Sequence, residues 1–419
     1  MDPAPHAGNT PKWNLPRGTA PNDNSPPGSG PTEPTDRPAA CRTPNTKTET
    51  KSFSLMKYAF PKWLTWLCVV LFAGGFATSC SQMHEDLDDC PYGLYLSFQY
   101  DYNLQRADMF SDHVGAVTVY VFDQDGRYVT KQEETNVGTY RPLASPLYQM
   151  HMNLEPGTYK FLVLAGQKGY DEQLAGNGAR FVRTEPAAGD SLSALRVQLE
   201  TLQEGETFRV VNNGLPLDTL WHGMLLEEVE VSNTRPTYKT ISLVRDTKKI
   251  NVTLRELDDP TKMDIANYEM HITDHNDRIR WDNSLDEGHT VVYTPHQTWN
   301  TEDSTPAFDV SGNPIEGVGR MAHADFMTSR ILYHGDAARD AILSVTNRET
   351  GVEVIRVNLP DLLSRLRTSE DIYRYEPQEF LDRGYDYQLE FFLKGDRLAY
   401  VNISISILGW AQRIQFEEL

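Results

Sequence analysis

The sequence predicts an all-β protein with two tandem β-sandwich domains, at residues 91–246 and 247–419. Apolar and polar residues alternate along most of the chain after residue 91, and this is the period of a half-buried strand. Short clusters of Gly, Asp, Asn and Pro separate the alternating stretches, and helical periodicity is scarce. The alternation stops near residue 246 and then restarts, and about 330 residues exceed one usual domain. Two sandwiches are therefore expected.

Residues 1–55 are rich in Pro, Thr, Asn and Gly and nearly lack branched apolar side chains. Such a segment buries too little surface to offset the entropy lost on ordering, so we expect it to be disordered. A signal peptide normally begins at the initiator methionine, which suggests that translation starts at Met56 and that residues 1–55 are a mis-assigned start. A long leader that is removed together with the signal is the alternative.

The segment before Cys80, at residues 56–79, has the parts of a signal peptide. Lys57 and Lys62 give it a positive start, an apolar run spans residues 63–76, and small residues stand directly before the cysteine. A transmembrane helix is the alternative, but it needs about 20 consecutive apolar residues, and this run is shorter and contains paired glycines. We predict a bacterial lipoprotein signal peptide.

Cys80 is the predicted lipidation site. Its thiolate is the strongly nucleophilic group beside the cleavage position, so it would take diacylglycerol and become the mature N-terminus. Residues 80–90 then form a tether with an acidic cluster at 85–89. Such clusters resemble the export signal that carries Bacteroidota lipoproteins to the outer face of the outer membrane; an ordinary solvated linker is the alternative. We expect a lipid-anchored outer-membrane protein that faces outward.

Composition excludes several classes of function. The net charge is −20, with 39 Lys and Arg against 59 Asp and Glu, which argues against nucleic acid because binding phosphates requires cations. Of the four cysteines, Cys41 and Cys68 precede the cleavage position and Cys80 takes the lipid, which leaves Cys90. One cysteine forms neither a disulfide framework nor a thiolate zinc site. No catalytic motif appears, so we predict that the protein is not an enzyme.

The first sandwich should begin with a strand at 94–100, followed by a hairpin of strands 117–122 and 127–129. Asp123 and Asp125 match the opening of an EF-hand calcium loop. The closing Glu of that loop is missing, however, and Asp and Gly are the residues that turns require. We therefore predict a turn rather than a calcium site.

A second hairpin is predicted next, with residues 148–154 entering a Glu-Pro-Gly turn and residues 159–165 leaving it. The leaving strand is apolar on both faces and should lie centrally. Residues 167–190 are predicted as loop, and a short helix is expected at 359–366, where a proline fits the first turn. The remaining predicted strands are 195–199, 220–224 and 238–243 in the first sandwich and 250–254, 268–272, 342–345, 352–357, 387–393 and 401–407 in the second.

The last predicted strand alternates regularly, with Ile403, Ile405 and Ile407 on one face. Such a strand either closes its own sandwich or adds to the sheet of a partner. Closure is favoured, because proteins usually avoid exposed apolar edges.

Three other groups of residues could form a binding or metal site, but each also has a simpler structural interpretation. His271 and His275 are four residues apart, yet the flanking alternation predicts a strand or its turn, so satisfied or solvated side chains are favoured over a metal site. The cluster Trp221-His222-Gly223 is interpreted as packing. Exposed tyrosines could form a sugar-binding platform, but aromatic residues are also common in β-sandwich cores, and the sequence does not separate these two possibilities.

Several stretches after Cys80 form a recognisable set. They are DDCPYGL at 88–94, FQYDYN at 98–103, DMF at 108–110, VTVYVFD at 117–123, LEPGTY at 154–159, LVRDT at 243–247 and QEFLDR at 378–383. Together they resemble the FimB-type fimbrial anchor family of Bacteroidales, over residues 80–419.

This resemblance implies two tandem domains of transthyretin-like or immunoglobulin-like type and a role as the outer-membrane anchor or an accessory subunit of a fimbria. The implied partners are fimbrial shaft subunits, and no cofactor is implied. We predict that the shaft is bound by β-strand addition, in which either partner could donate the strand. Only Cys80 carries over as a functional residue. A tip adhesin or glycan-binding surface lipoprotein of similar fold is the alternative, and an enzyme is a distant third.

Overall fold

The computed structural model describes residues 92–303, 307–308, 314–315, 319–368, 375–407 and 410–416. Most of these residues lie in strands, and the short helices stand between strands. The all-β prediction is thus confirmed. Three predicted segments lie outside the described residues, namely the leader at 1–55, the signal peptide at 56–79 and the tether at 80–90.

The described fold has twenty-four strands and four short α-helices. The strands are β1 Gly93–Gln99, β2 Ala116–Asp123, β3 Tyr128–Thr135, β4 Met150–Met152, β5 Gly157–Gly166, β6 Phe181–Thr184, β7 Arg196–Leu199, β8 Thr201–Glu204, β9 Thr207–Val210, β10 Leu220–Val231, β11 Pro236–Arg245, β12 Lys248–Glu256, β13 Tyr268–Asp274, β14 Arg278–Arg280, β15 Thr290–Tyr293, β16 Gln297–Asp303, β17 Ala307–Phe308, β18 Pro314–Ile315, β19 Gly319–Thr328, β20 Ile342–Asn347, β21 Glu353–Asn358, β22 Asp386–Leu393, β23 Leu398–Ile407 and β24 Trp410–Phe416. The helices are α1 Phe110–His113, α2 Tyr170–Ala175, α3 Leu359–Ser364 and α4 Pro377–Arg383.

The first sheet has seven strands in the order β3-β2-β5-β10-β11-β1-β4. Strand β1 buries Leu94, Leu96 and Phe98 on one face, as the alternation predicts. It pairs in parallel with β11. Strand β5 lies between β2 and β10 and buries apolar side chains on both faces, so its predicted central position is confirmed. Two apolar layers therefore meet this sheet.

The Asp-Gln-Asp-Gly segment forms the predicted turn between β2 and β3. The Asp123 carboxylate accepts hydrogen bonds from the backbone amides of Asp125, at 2.9 Å, and Arg127, at 2.8 Å. Gly126 has a φ of 74°, which a side chain would disfavour. The carboxylate is thus engaged in local turn bonds, and the turn interpretation is confirmed.

The second predicted hairpin is wrong, because β4 pairs with β1, whereas β5 pairs with β2 and β10. The two apolar faces of β5 require a strand on each side, and β4 instead sends Met150 and Met152 into the core beside β1. The predicted loop at 167–190 is also wrong in part, since it contains α2 and β6. Both elements are too short to produce a readable period.

Three further sheets complete the main architecture. A three-stranded sheet has the order β14-β7-β6, and two six-stranded sheets have the orders β21-β20-β13-β15-β9-β8 and β16-β19-β12-β22-β23-β24. The inward side chains of both six-stranded sheets belong to one apolar cluster, so these sheets face each other as a sandwich. Strands β17 and β18 form a separate pair.

Two sheets take strands from both sides of residue 246. Strand β9 pairs in parallel with β15, and β7 pairs antiparallel with β14. Apolar residues from 120 to 405 also share one core cluster. The predicted division into domains 91–246 and 247–419 stays a prediction, and neither of these two sheets would survive a cut at that position intact.

Strand β23 is part of its own sheet and is not free to join the sheet of a partner. It lies between β22 and β24, and it pairs antiparallel with both. Ile403 and Ile405 are fully buried, so the favoured role of this strand within its own sandwich is confirmed.

The predicted helix at 359–366 is also confirmed, as α3 and one following 3-10 turn. The side chain of Asn358 caps this helix by accepting a hydrogen bond from the amide of Asp361.

Candidate functional site

The predicted lipidation residue, Cys80, and the remaining cysteine, Cys90, lie outside the described residues. In the ranges that the structure describes, no helix is both long and apolar enough to span a membrane. His271 bonds to Ser344 at 3.0 Å, and His275 bonds to the carbonyl oxygen of His289 at 2.9 Å. The two histidines are thus separately satisfied in a strand and the turn after it.

The structure brings three of the family-like stretches together at one junction. These are FQYDYN at the end of β1, LVRDT at the end of β11 and QEFLDR in α4. The junction is where β11 passes into β12, at the position predicted as the boundary between the sandwiches. These motifs are far apart in the sequence, and each of them supplies buried polar or aromatic groups there.

An ion pair lies at the centre of this junction. The Arg330 guanidinium donates two parallel hydrogen bonds to the Asp382 carboxylate, at 2.9 and 2.8 Å. The residues are only 3% and 1% exposed, so the pair is held away from water. Gln378 donates a further bond to Asp382, at 3.1 Å. Bidentate geometry and an added donor are what a buried pair needs to offset the loss of hydration.

A buried lysine extends the network. The ammonium of Lys248 donates to the carbonyl oxygens of Arg245, Asp382 and Gly384, at 3.2, 3.1 and 2.9 Å. Burial lowers the pKa of Lys248, although the carboxylates of Asp382 and Asp246 oppose this effect. Three carbonyl acceptors match the three donors of an ammonium, so the lysine ties β12 to the end of α4.

Asp246 occupies the other side of the network. Its carboxylate accepts a hydrogen bond from the side chain of Asn283, at 3.0 Å, and its amide donates to the carbonyl of Leu220. Burial raises the pKa of Asp246, while Arg330 opposes the shift. Arg330 also donates to the Asn283 carbonyl oxygen. Asn283 is therefore bound to the junction through both its side chain and its backbone carbonyl.

Aromatic rings surround these charges. The Arg245 guanidinium lies 4.3 Å from the Tyr385 ring centroid and 5.6 Å from that of Trp221. Tyr100 meets Trp221 edge to face, at 5.8 Å between centroids. Arg383 lies over the Tyr102 ring, at 3.9 Å. Cation–π contacts of this kind gain strength where water is excluded. Through Tyr100 and Tyr102, the FQYDYN stretch contributes aromatic walls to the junction.

Sequence reasoning missed this network, although a signal for it exists. Lys248 occupies the inward phase of β12, two residues before the buried Ile250. Arg330 continues the inward phase of β19 in the same way, after the buried Phe326 and Thr328. A charged residue in the inward phase of a strand predicts a buried ionic group. Its partner could not be named, because Asp382 lies far away in the sequence.

The predicted packing role of the Trp221-His222-Gly223 cluster is confirmed. Trp221 is fully buried, and a Cβ atom on Gly223 would lie 2.6 Å from the Leu243 side chain. His222 is buried and pairs with the carbonyl oxygen of Trp281, at 2.9 Å. Burial lowers the pKa of His222 to about 4, because a charged imidazole would lose its hydration there.

We expect His222 to make the protein sensitive to acid. The unfolded chain binds a proton near pH 6.5 and the folded chain only near pH 4, so stability falls as the pH drops through this window. The variant His222→Gln keeps an N–H donor but cannot titrate, so this loss of stability at low pH should occur in the wild type only. We expect the difference in unfolding free energy between wild type and variant to be smaller at pH 4.5 than at pH 7.5, by about 2 kcal/mol.

Urea unfolding of both proteins at the two pH values measures this change. Burial raises the pKa of Asp274 to about 8, which gives a pH dependence of opposite sign, but Asp274 is present in both proteins and cancels from the comparison. A deficit that stays constant between the two pH values would contradict the assignment.

The free edges of the sheets form the second candidate site. The edges of the first sheet, β3 and β4, approach each other, since Gln132 donates to the carbonyl oxygen of His151, at 3.1 Å. Among the described edge strands of the six-stranded sheets, β16 and β24 each have seven residues and no second neighbour. Such an edge presents backbone donors and acceptors to a partner strand.

Comparisons with known proteins agree with this architecture. The sequence model of the family "Fimbrillin-A associated anchor proteins Mfa1 and Mfa2" matches residues 87–416. The chain belongs to this family. It is therefore a fimbria-associated protein of the accessory or anchor type, and a structural protein rather than an enzyme. The family resemblance inferred from the motifs is confirmed.

Three matches, one in sequence and two to solved structures, illustrate the similarity of this Mfa2-family chain to known proteins. The minor fimbrium anchoring subunit Mfa2 of Porphyromonas gingivalis is 22% identical over 292 residues, which cover 68% of this chain and 76% of the relative. A solved structure of a candidate adhesin from Bacteroides thetaiotaomicron is 28% identical and covers 78% of this chain and 98% of its own, with a TM-score of 0.59. The solved structure of the fimbrial anchor protein Mfa2 of P. gingivalis is 19% identical and covers 77% of this chain and 99% of its own. Its TM-score of 0.50 shows that the fold is shared.

Proposed function

We propose that this Mfa2-family protein is a lipoprotein that tethers a fimbria to the outer face of the outer membrane. Cys80 carries the lipid, and the described fold, beginning at residue 92, binds the shaft. The observation that supports the proposal is that the family match begins at residue 87, seven residues after Cys80, which directly follows the predicted signal peptide. A family of fimbrial anchors needs a membrane attachment, and the predicted lipid supplies it.

The proposed contact with the shaft is β-strand addition. A free sheet edge satisfies the backbone groups of an incoming strand all at once, and alternate side chains add specificity. We assign this role to β24, which has seven residues and ends the sheet beside β23. Strand β16, the opposite edge of the same sheet, has the same length and is the alternative edge. Strand β23 is not offered as the donor, since Ile403 and Ile405 are buried and both of its neighbours are in place.

A photo-crosslinking amino acid in place of Gln412, within β24, should trap a shaft subunit on living cells. The matched control is the same replacement at Val129, an exposed residue of the edge strand β3. Crosslinked products are measured by mass spectrometry after isolation of the protein. Equal capture at both positions, or capture only at residue 129, would contradict the assignment of β24.

Deletion of the gene should release fimbriae into the medium or change their length, while the shaft subunits are still made. Electron microscopy of cells and immunoblots of the medium measure both outcomes, and a plasmid copy of the gene should restore attachment. Normal, cell-attached fimbriae of every type in the deletion strain would contradict the anchor role.

A tip adhesin is the second candidate function. The similarity to the candidate adhesin of B. thetaiotaomicron, at 28% identity over nearly all of that chain, favours it. The two functions place the protein at opposite ends of the fimbria. Immunogold labelling should find it at the base if it is an anchor, and at the free tip if it is an adhesin.

A further inference from the structure

The chain enters the described fold through β1, and this strand is paired mainly with β11. The two strands run parallel and stay in register over the seven residues Gly93–Gln99. Strand β4, on the other side of β1, pairs with it over three residues. A pull that reaches β1 from the tether at 80–90 is therefore passed mainly to β11.

Strand β11 leads from the entry of the chain to the six-stranded sheets. Its first residue, Pro236, lies opposite Gly93, and its last residue, Arg245, is followed after two residues by β12. Strand β12 has a neighbour on each side in its six-stranded sheet. A pull on residue 92 and an opposing pull on β12 thus act at opposite ends of the parallel pair. The pair is then loaded in shear.

Loading in shear engages all the hydrogen bonds of the pair at the same time. The bonds of a parallel pair are evenly spaced, and a slide of about 3.3 Å, the rise of one residue, displaces every one of them. When two strands are instead pulled apart from one end, their bonds break one after another, and each contributes about 1 kcal/mol. More free energy must be supplied over a shorter distance in shear, so the force at rupture is higher.

The buried side chains of β1 also oppose a slide. Leu94, Leu96 and Phe98 are at most 4% exposed and belong to the apolar core under the first sheet. Because successive side chains point to opposite faces of a strand, a slide by one residue would turn all three out of this core. The strand cannot move by a single step and keep its burial.

Contacts on the outer face join β1 to its neighbours as well. The ring of Tyr95 stacks on His151 from β4, at 4.6 Å between centroids, and on Tyr238 from β11, at 5.2 Å. Just beyond the end of β1, the Asp101 carboxylate accepts a hydrogen bond from the hydroxyl of Ser242 in β11, at 2.5 Å. Side chains thus connect the two strands in their middle and at the end that lies towards β12.

We propose that β1 and β11 form a shear clamp, which carries tension between the membrane tether and the sheet of β12 when the fimbria is pulled. This inference rests on the proposed tethering function, which places the protein under load. The junction continues the path of the load beyond the clamp. Arg245 at the end of β11 lies against the Tyr385 ring, and Lys248 at the start of β12 bonds to the carbonyl oxygen of Gly384.

Optical tweezers test the clamp on the mature chain, residues 80–419. The chain is made without its signal peptide, so that the free thiol of Cys80 carries one DNA handle, and Cys90→Ser removes the other thiol. Lys249→Cys, at an exposed position near the start of β12, carries the second handle and loads the pair in shear. Asn233→Cys, exposed in the connection before β11, is the matched control, because both handles then pull from the same end of the pair.

We expect the first rupture to require a several-fold higher force with the second handle at position 249 than at position 233. The two proteins share β1, its partners and the first handle, so the difference reports the direction of the load. Equal forces, or a higher force at position 233, overturn the clamp. The handles take the place of both membrane and fimbria, so such a result leaves the proposed tether standing. Failure of the tether itself is seen on cells, as shaft subunits that stay attached without this protein.

Discussion

Replacing Asp382 by alanine should lower the free energy of unfolding by about 3–5 kcal/mol, because the buried guanidinium of Arg330 would lose its carboxylate. The carboxylate is 1% exposed and also accepts a hydrogen bond from Gln378, so water cannot readily take its place. Denaturant unfolding of the mature protein measures the loss. A loss of this size is a large part of the total stability of most domains.

Glu353→Ala is the matched control for this experiment. Glu353 pairs with Arg356 at 3.2 Å on the surface, and exposed pairs contribute below about 1 kcal/mol. Replacing both members of the buried pair, Arg330→Met with Asp382→Leu, should recover part of the stability, because neither member is then left as an unpaired buried charge. Equal effects of Asp382→Ala and Glu353→Ala would contradict the role assigned to the junction.

Cys80→Ala should abolish attachment of the protein to the membrane. In our proposal the thiolate takes the diacylglycerol, and the described residues contain no helix that is long and apolar enough to span a membrane. Labelling with a palmitate analogue should mark the wild type and not the variant. Cys90→Ala is the control that changes a neighbouring cysteine and keeps the lipid. Equal labelling of wild type and Cys80→Ala would contradict the lipidation site.

The sequence predicted individual strands well, because alternation depends only on which face of a strand is buried. Leu94, Leu96 and Phe98 are buried as their spacing predicted, and the same holds for Ile250 and its neighbours in β12. Pairing is a different property. The partners of β1 are β4 and β11, of which β11 lies more than a hundred residues away, and no local pattern names either of them. The error at β4 has this cause, since a Pro-Gly turn suggested a hairpin between neighbours.

The same limit applies to the residues of the junction, because their partners are also far apart in the sequence. The motifs at 243–247 and 378–383 resemble those of the family, but no local pattern explains why they occur together. The structure supplies one, since Lys248, directly after the first motif, bonds to the carbonyl of Asp382 in the second. An anchor must transmit force from the fimbria to the membrane. A junction fixed by buried charges and aromatic contacts is suited to this task, because its parts cannot separate without exposing unpaired groups.

The most direct test of the tether is the distribution of fimbriae between cells and medium in a deletion strain that carries either wild-type protein or Cys80→Ala at equal level. Immunoblots of both fractions for the shaft subunit measure this distribution. We expect cell-bound fimbriae with the wild type and shed fimbriae with the variant, because the variant keeps the described fold and loses only the lipid. Fimbriae that stay equally cell-bound in both strains would contradict the proposal that this protein tethers them through Cys80.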